Sequence, residues 1–459
     1  MSRMDVRSHV IKPDLSKEYP VVSHGKGVYL YDLNGKSYID GCSGAFTANI
    51  GHGNVTIAKA MRHQALKVAF TYRGQFANRP SEELARLLAA LAPGDLNWTF
   101  YVNSGSEATE TAMKIAVQYW QERGLPTKNR VISRWMSYHG ITLGALSMSG
   151  HTARRRPFVQ LLQDYPVVPP PYCYRCPLGR RHPECELFCA QMLETSIQLL
   201  GPEYIAAFIF EPVIGASGGA IVPPPGYYEK IAEICNRYNI LLIADEVMTG
   251  FGRTGKMFAV NHWGIEPDIM AIGKGLSGGY TPIAATMVSD RIMETISRGC
   301  GGIMSGHTFS ANPLSSAVAL AVVNYLLRHE LVQKLDKKAR YLERRLRWLA
   351  HKHPTIGDVR GLGMMWGLEL VKDPLTREPF QSELNVAGMV IDQAMENGLI
   401  IYNASGGFVD PAGAVIMIGP PLTVTKSEIH KITETLDYTL TQVEAKLATE
   451  FRQQYLQTI

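Results

Sequence analysis

The sequence predicts an α/β protein: a large domain built on a mainly parallel sheet flanked by helices, joined to a small α+β domain formed by both chain ends. Short apolar runs alternate with amphipathic helical patterns from about residue 58 to residue 330. Runs that are apolar at every position suit strands covered by helices on both faces, which is the signature of a parallel sheet. The chain ends lack that alternation, and they carry hairpin and strand–helix patterns instead. The expected division is 1–57, 58–330 and 331–459, with the first and last segments together forming the small domain.

Residues 19–40 read as a pair of strands turning at Asn34-Gly35, a dipeptide suited to a tight hairpin. Residues 99–102, 130–133, 207–211, 240–245, 269–272 and 284–288 read as buried strands. The amphipathic stretches 81–91, 107–122 and 226–238 lie between them as helices. Beyond them come a charged helix at 331–351 and a segment at 358–370 in which Gly361 and Gly363 precede an apolar strand. A helix at 386–397 ends at Gly398, a strand follows at 399–403, and a closing helix runs from about 425.

Composition narrows the function classes. Of 459 residues, 46% are hydrophobic and 19% charged, which suits a packed globular protein and excludes a disordered one. The net charge of +5 is scattered, so no nucleic-acid partner is expected. No apolar run approaches the ~18 residues of a membrane span, so no membrane association is expected. Residues 1–19 mix charges without the apolar core of a secretory signal, so a cytoplasmic location is expected. Cys173, Cys176, Cys185 and Cys189 crowd one proline-rich segment. Two close cysteine pairs suit a structural zinc knuckle, while the plainer reading is a stiff surface loop with reduced thiols and no metal.

In doubly wound sheets the ligand lies beyond the C-terminal strand ends, so the residues just after each run carry the chemistry. After 99–102 comes Asn103-Ser104-Gly105-Ser106-Glu107, opening a helix whose first N–H groups and dipole favour an anion such as phosphate. The same residues also make an ordinary helix N-cap. After 240–244 comes Asp245, a carboxylate costly to bury without a cation. A protonated pyridine nitrogen or an arginine such as Arg253 would serve. After 269–272 comes Gly273-Lys274-Gly275: a lysine between glycines is sterically open, and partial burial makes its amine a nucleophile and proton shuttle. Tyr138-His139-Gly140 adds a ring able to stack on a flat cofactor.

Seven stretches together resemble the class III aminotransferases, which are pyridoxal 5′-phosphate (PLP) enzymes of fold type I. They are 103–108 (NSGSEA), 138–140, 211–215 (EPVIG), 245–255 (DEVMTGFGRTG), 267–277 (PDIMAIGKGLS), 307–312 (HTFSAN) and 420–423 (PPLT). The resemblance implies that Lys274 forms the Schiff base with PLP and then shuttles the substrate proton. It implies that Asp245 pairs with the pyridine nitrogen, and that Ser104, Gly105 and Ser106 hold the phosphate. Tyr138 would stack on one face of the ring, with His139 beside it and Val247 on the other face. Glu211 would sit on the substrate side, and Phe46 would line the substrate pocket. A homodimer, or a tetramer, is implied, with Thr308 reaching the neighbouring subunit's phosphate.

Two departures from the family pattern bear on substrate. Members acting on ornithine, acetylornithine or 4-aminobutyrate typically carry Gln where Met248 stands, and an Arg that grips a carboxylate where Met417 stands. Methionine makes no bidentate carboxylate contact, and no Arg occurs from 399 to 426. The resemblance therefore implies an ω-transaminase-like enzyme taking amines, taurine, β-alanine or similar donors, with a 2-oxo acid such as pyruvate as acceptor. The acceptor carboxylate still needs a cation. Arg73 is the preferred choice, with pairing across the dimer interface an equal reading of it; Arg134, Arg154 and the Arg155-Arg156 pair are the other candidates, with the 154–156 run read as a solvated turn. A lyase (ammonia-lyase or phospholyase on a small phosphorylated or phosphonate amine) or an epimerase on the same scaffold is the alternative chemistry.

Overall fold

The computed structural model describes residues 9–405 and 414–458, with side chains to residue 449. The readings that touch 1–8 and 406–413, namely the first part of the N-terminal stretch and the middle of the arginine-free segment, lie outside the described residues. The chain opens with strands β1 (Val22–Lys26), β2 (Tyr29–Asp32) and β3 (Ser37–Asp40). The core sheet uses β4 (Trp98–Val102), β5 (Arg130–Arg134), β6 (Val167–Val168), β7 (Ile205–Phe210), β8 (Leu241–Asp245), β9 (Ile269–Ile272) and β10 (Ala284–Val288). Five strands follow: β11 (Ile356–Leu362), β12 (Met365–Leu370), β13 (Leu399–Ile400), β14 (Tyr402–Asn403) and β15 (Ala414–Ile418).

The core sheet has the order β4-β10-β9-β8-β7-β5-β6. Its pairs are parallel except that β10 runs antiparallel to both neighbours. Every residue of β7, β8, β9 and β10 is buried, and alternate side chains enter different cores. Phe208 and Phe210 join one apolar cluster with Ile231 of the helix Tyr227–Arg237. Ala207 and Ile209 join another with Ile115 and Trp120 of the helix Gly105–Glu122. Helices on both faces are the physical reason the strands read as unbroken apolar runs.

The chain ends meet in two smaller sheets. β13 pairs parallel with β3 in a sheet of order β1-β2-β3-β13, and β11-β12-β15-β14 form the other. Residues 19–40 hold three strands rather than the expected two, because a second turn at Gly27 (φ 61°) splits the first half. The segment 358–370 is an antiparallel hairpin, β11 to β12, turning where Gly363 takes φ 63° against the Thr254 backbone. The run 399–403 is divided between the two sheets as β13 and β14. β6 and β15 had no sequence signal that was recognised.

Candidate active site

The C-terminal ends of β5, β7, β8 and β9, with the loop after β4, converge on a cavity of about 170 Å³. It is lined by Gly105, Ser106, Tyr138, His139, Gly140, Glu211, Ala216, Asp245, Val247, Met248, Thr249 and Lys274. Gly105, Ser106, Tyr138, His139, Glu211, Asp245, Val247, Met248 and Lys274, all singled out in the sequence, stand together there, drawn from five strand ends.

Lys274 follows β9 and holds φ 42°, a left-handed conformation unusual outside glycine, so the surrounding structure imposes it. Burial lowers its amine pKa from the usual value near 10.5 to about 8, against the opposing pull of Asp245 and Glu211. Asp245 ends β8 with its Oδ2 2.8 Å from Nδ1 of His139, while its Oδ1 accepts the Val247 N–H at 3.1 Å. Arg253 does not pair with it. That guanidinium donates to the carbonyls of Met364, Gly419 and Pro420 and to Ser43 Oγ, which fastens the chain ends to the large sheet. The other ring nitrogen of His139, Nε2, is buried without a partner among the described residues.

The loop after β4 forms a helix start. Ser104 caps the helix Gly105–Glu122, its Oγ accepting the Glu107 N–H at 3.2 Å, and Glu107 reaches back to the Asn103 N–H at 2.7 Å. The first-turn N–H groups and the helix dipole therefore face the cavity mouth. A Cβ added to Gly105 would lie 2.7 Å from Cγ1 of Val247, so only glycine brings the backbone this close. Gly140 takes φ 139°, and a Cβ there would meet Ser106 Oγ at 2.6 Å. Ser106 Oγ in turn accepts the Ile141 N–H at 3.0 Å, tying the anion loop to the Tyr138 loop.

Glu211 ends β7 in a buried position. Its carboxylate accepts the N–H groups of Tyr138 at 2.9 Å and Gly215 at 2.8 Å, and burial raises its pKa. Phe46 and Met417 do not line the cavity directly. They pack in one buried apolar cluster with Met248 and Ala216, which do, and Tyr402 meets Phe46 edge-on at 5.8 Å. Arg73 lies elsewhere in its own chain: it donates to the Ser305 carbonyl at 2.6 Å and covers the Phe100 ring at 4.6 Å. Thr308 is exposed beside His307, whose ring approaches Glu107 at 3.9 Å. Arg134 is buried on the Glu211 carbonyl at 2.5 Å. The run 154–156 is helical rather than the turn expected; Arg154 and Arg156 are exposed, and Arg154 also lies over the Tyr138 ring. Its place three residues past His151 carried no sequence signal.

The four clustered cysteines and the other three are all free thiols. Among the described residues, no group of three or more His, Cys, Asp or Glu is arranged to hold a metal ion. No described helix is long and apolar enough to cross a membrane.

A half-buried lysine, a carboxylate–imidazole pair and a capped helix start, set together at the strand ends of this sheet, make an arrangement of the PLP fold type I kind. The model for the family described as Aminotransferase class-III matches residues 13–440. The uncharacterized aminotransferase YodT of Bacillus subtilis (strain 168) is 48% identical over 96% of this chain and 99% of its own. A putrescine–pyruvate aminotransferase of Pseudomonas aeruginosa is 36% identical over 90% of this chain and 88% of its own. The crystal structure of the omega transaminase from Pseudomonas jessenii, in complex with PMP, superposes with a TM-score of 0.88 at 35% identity and 94% coverage of both chains. This chain belongs to the class III aminotransferases, and it is a PLP-dependent enzyme.

Proposed function

We propose that this aminotransferase moves an amino group from an ω-amino donor (an amine, taurine, β-alanine or similar) to a 2-oxo acid such as pyruvate. The observation that carries the reading is the apolar wall beside Lys274. Met248 and Ala216 line the cavity, and Met417 and Phe46 back them, so this side offers a carbon skeleton contact surface and no charge. A donor that placed a carboxylate there would strip it of water without a partner.

The residues present fit PLP. When bound, it supplies an electron sink for the pair released at the substrate carbon and a carrier for the amino group between half-reactions. Lys274 Nζ would hold the cofactor and take and return the substrate proton. With its pKa lowered to about 8, a useful share of the amine is neutral near pH 7.5. Asp245 would pair with the pyridine nitrogen, and His139 at 2.8 Å keeps its carboxylate oriented. The Ser104–Ser106 backbone and hydroxyls suit a phosphate, Tyr138 and Val247 would cover the two ring faces, and Glu211 stiffens the Tyr138 loop. The reading includes a homodimer in which Thr308 reaches the neighbouring subunit's phosphate, with 58–330 binding the cofactor and both ends forming the small domain.

The test is a screen of diamines, arylalkylamines, taurine, β-alanine and aminophosphonates with the PLP-loaded enzyme, with and without pyruvate. Alanine formed only when pyruvate is present supports the proposal. Release of ammonia or phosphate without any 2-oxo acid overturns it in favour of elimination.

A further inference from the structure

With Met417 in place of an arginine, the acceptor carboxylate has no ligand in β15, and the nearby arginines differ sharply in what they are free to do. Arg134 is taken up by the Glu211 carbonyl and Arg253 by three carbonyls and Ser43. Arg155 donates to the carbonyls of Leu146, Ser147 and Ser149 at 2.9–3.0 Å, closing the end of the helix Leu143–Ser147. Arg73 is held at Ser305.

Arg154 is different. Its guanidinium carbon sits 4.6 Å over the Tyr138 ring, and its Nη1 donates to the Tyr138 hydroxyl at 3.3 Å. Among the described residues it has no carboxylate or carbonyl partner, and it is solvent-exposed. Its backbone is nonetheless fixed, because the next residue, Arg155, is tied to three carbonyls. Tyr138 lines the cavity that holds Lys274, and Arg154 is near enough for its charge to act on the Lys274 amine and on Tyr402. His151, buried edge-on to Tyr138 at 6.1 Å, is pushed by burial to a pKa of about 4 and so adds no second positive charge at neutral pH. Among the described residues, one of these guanidiniums thus has unused donors while stacked on a cavity-lining ring.

We propose that Arg154 is the residue that binds the substrate carboxylate, gripping the 2-oxo acid acceptor and its amino-acid product together with the Tyr138 hydroxyl. A single free guanidinium suits a monocarboxylate, held by two parallel N–H···O bonds. A donor without a carboxylate uses the same space by lying on the Met248–Met417–Phe46 wall, and leaves Arg154 on its ring. The inference rests on the transaminase reading, and it makes Arg154 a specificity-determining residue.

The experiment compares wild-type holoenzyme with Arg154→Gln and Arg154→Lys. Calorimetric titration with propionate, a non-reactive monocarboxylate, reads the site directly. Loss of a charge-assisted pair is expected to weaken propionate binding about 10- to 100-fold in Arg154→Gln, with partial recovery in Arg154→Lys. The KM for pyruvate should rise by a similar factor with kcat little changed, as for a lost uniform binding contact. The KM for a monoamine should move by less than about threefold, since that contact is absent for it. Unchanged propionate affinity overturns the proposal, as does an equal loss for amine and pyruvate, the mark of a merely structural role. Failure of the wild type to pass any amine nitrogen to pyruvate would instead sink the transaminase reading, and the propionate titration would still decide Arg154.

Discussion

The lowered pKa of Lys274 has a direct chemical consequence in the cofactor-free enzyme. An ordinary lysine near 10.5 is about 0.1% neutral at pH 7.5, whereas an amine at about 8 is roughly one-quarter neutral. The reactive fraction is therefore raised roughly 200-fold, and the cause is burial at the end of β9 rather than a basic neighbour. The perturbation is a pH series on apo-enzyme treated with a small neutral aldehyde and borohydride, with labelling at residue 274 read by peptide mass spectrometry. Labelling of Lys274 should rise through a midpoint near pH 8 and then level off. Asp245 pulls in the opposite direction, so Asp245→Asn should move the midpoint lower still. A wild-type midpoint at 10 or above would refute the reasoning, because it would mean that the cavity hydrates the amine fully.

Three further outcomes follow from particular contacts. Gly105→Ala places a methyl group 2.7 Å from Val247 Cγ1, so Tm should fall by an amount equivalent to about 1–3 kcal/mol and PLP titration should show weakened binding. Asp245→Asn leaves the His139 ring opposite a neutral amide in place of a carboxylate at 2.8 Å; turnover should fall roughly 100-fold or more, read by steady-state assay at saturating cofactor. His353 is bound to Asp437 at 2.7 Å and Glu444 at 2.9 Å, clamping the helix Asp336–Lys352 to the helix Lys426–Thr458. Burial opposes its charging, but those two hydrogen bonds win and raise its pKa, while Asp437 and Glu444 are lowered. The histidine's contribution is complete below its unfolded pKa and is lost as pH rises through the raised folded value. The carboxylates' contribution is present above their unfolded pKa values and is lost as pH falls through the lowered ones. The Tm deficit of His353→Leu should therefore be largest near pH 5–6 and shrink toward pH 8, worth about 1–3 kcal/mol at its peak; a deficit that does not vary with pH would refute the charged clamp.

The sheet was legible because β7, β8, β9 and β10 are covered by helices on both faces, so burial at each position wrote itself as an apolar run. β6, with two residues, is too short to have a period, and β13 and β14 were legible only as one fused run. The residues proposed to hold the cofactor were legible for a related reason. Each of Ser104, Glu211, Asp245 and Lys274 follows directly on an apolar run, and strand ends on one side of such a sheet must converge. Arginine gave no such warning. Arg134, Arg253 and Arg155 are taken up by backbone carbonyls, Arg73 lies against Phe100, and Arg154 rests on Tyr138. A long side chain's partner depends on which backbone passes within its reach, and that is a property of the folded chain. From its sequence alone, the protein's sheet and its lysine followed; which of these arginines is left without a carbonyl or carboxylate partner was decided only by the tertiary structure.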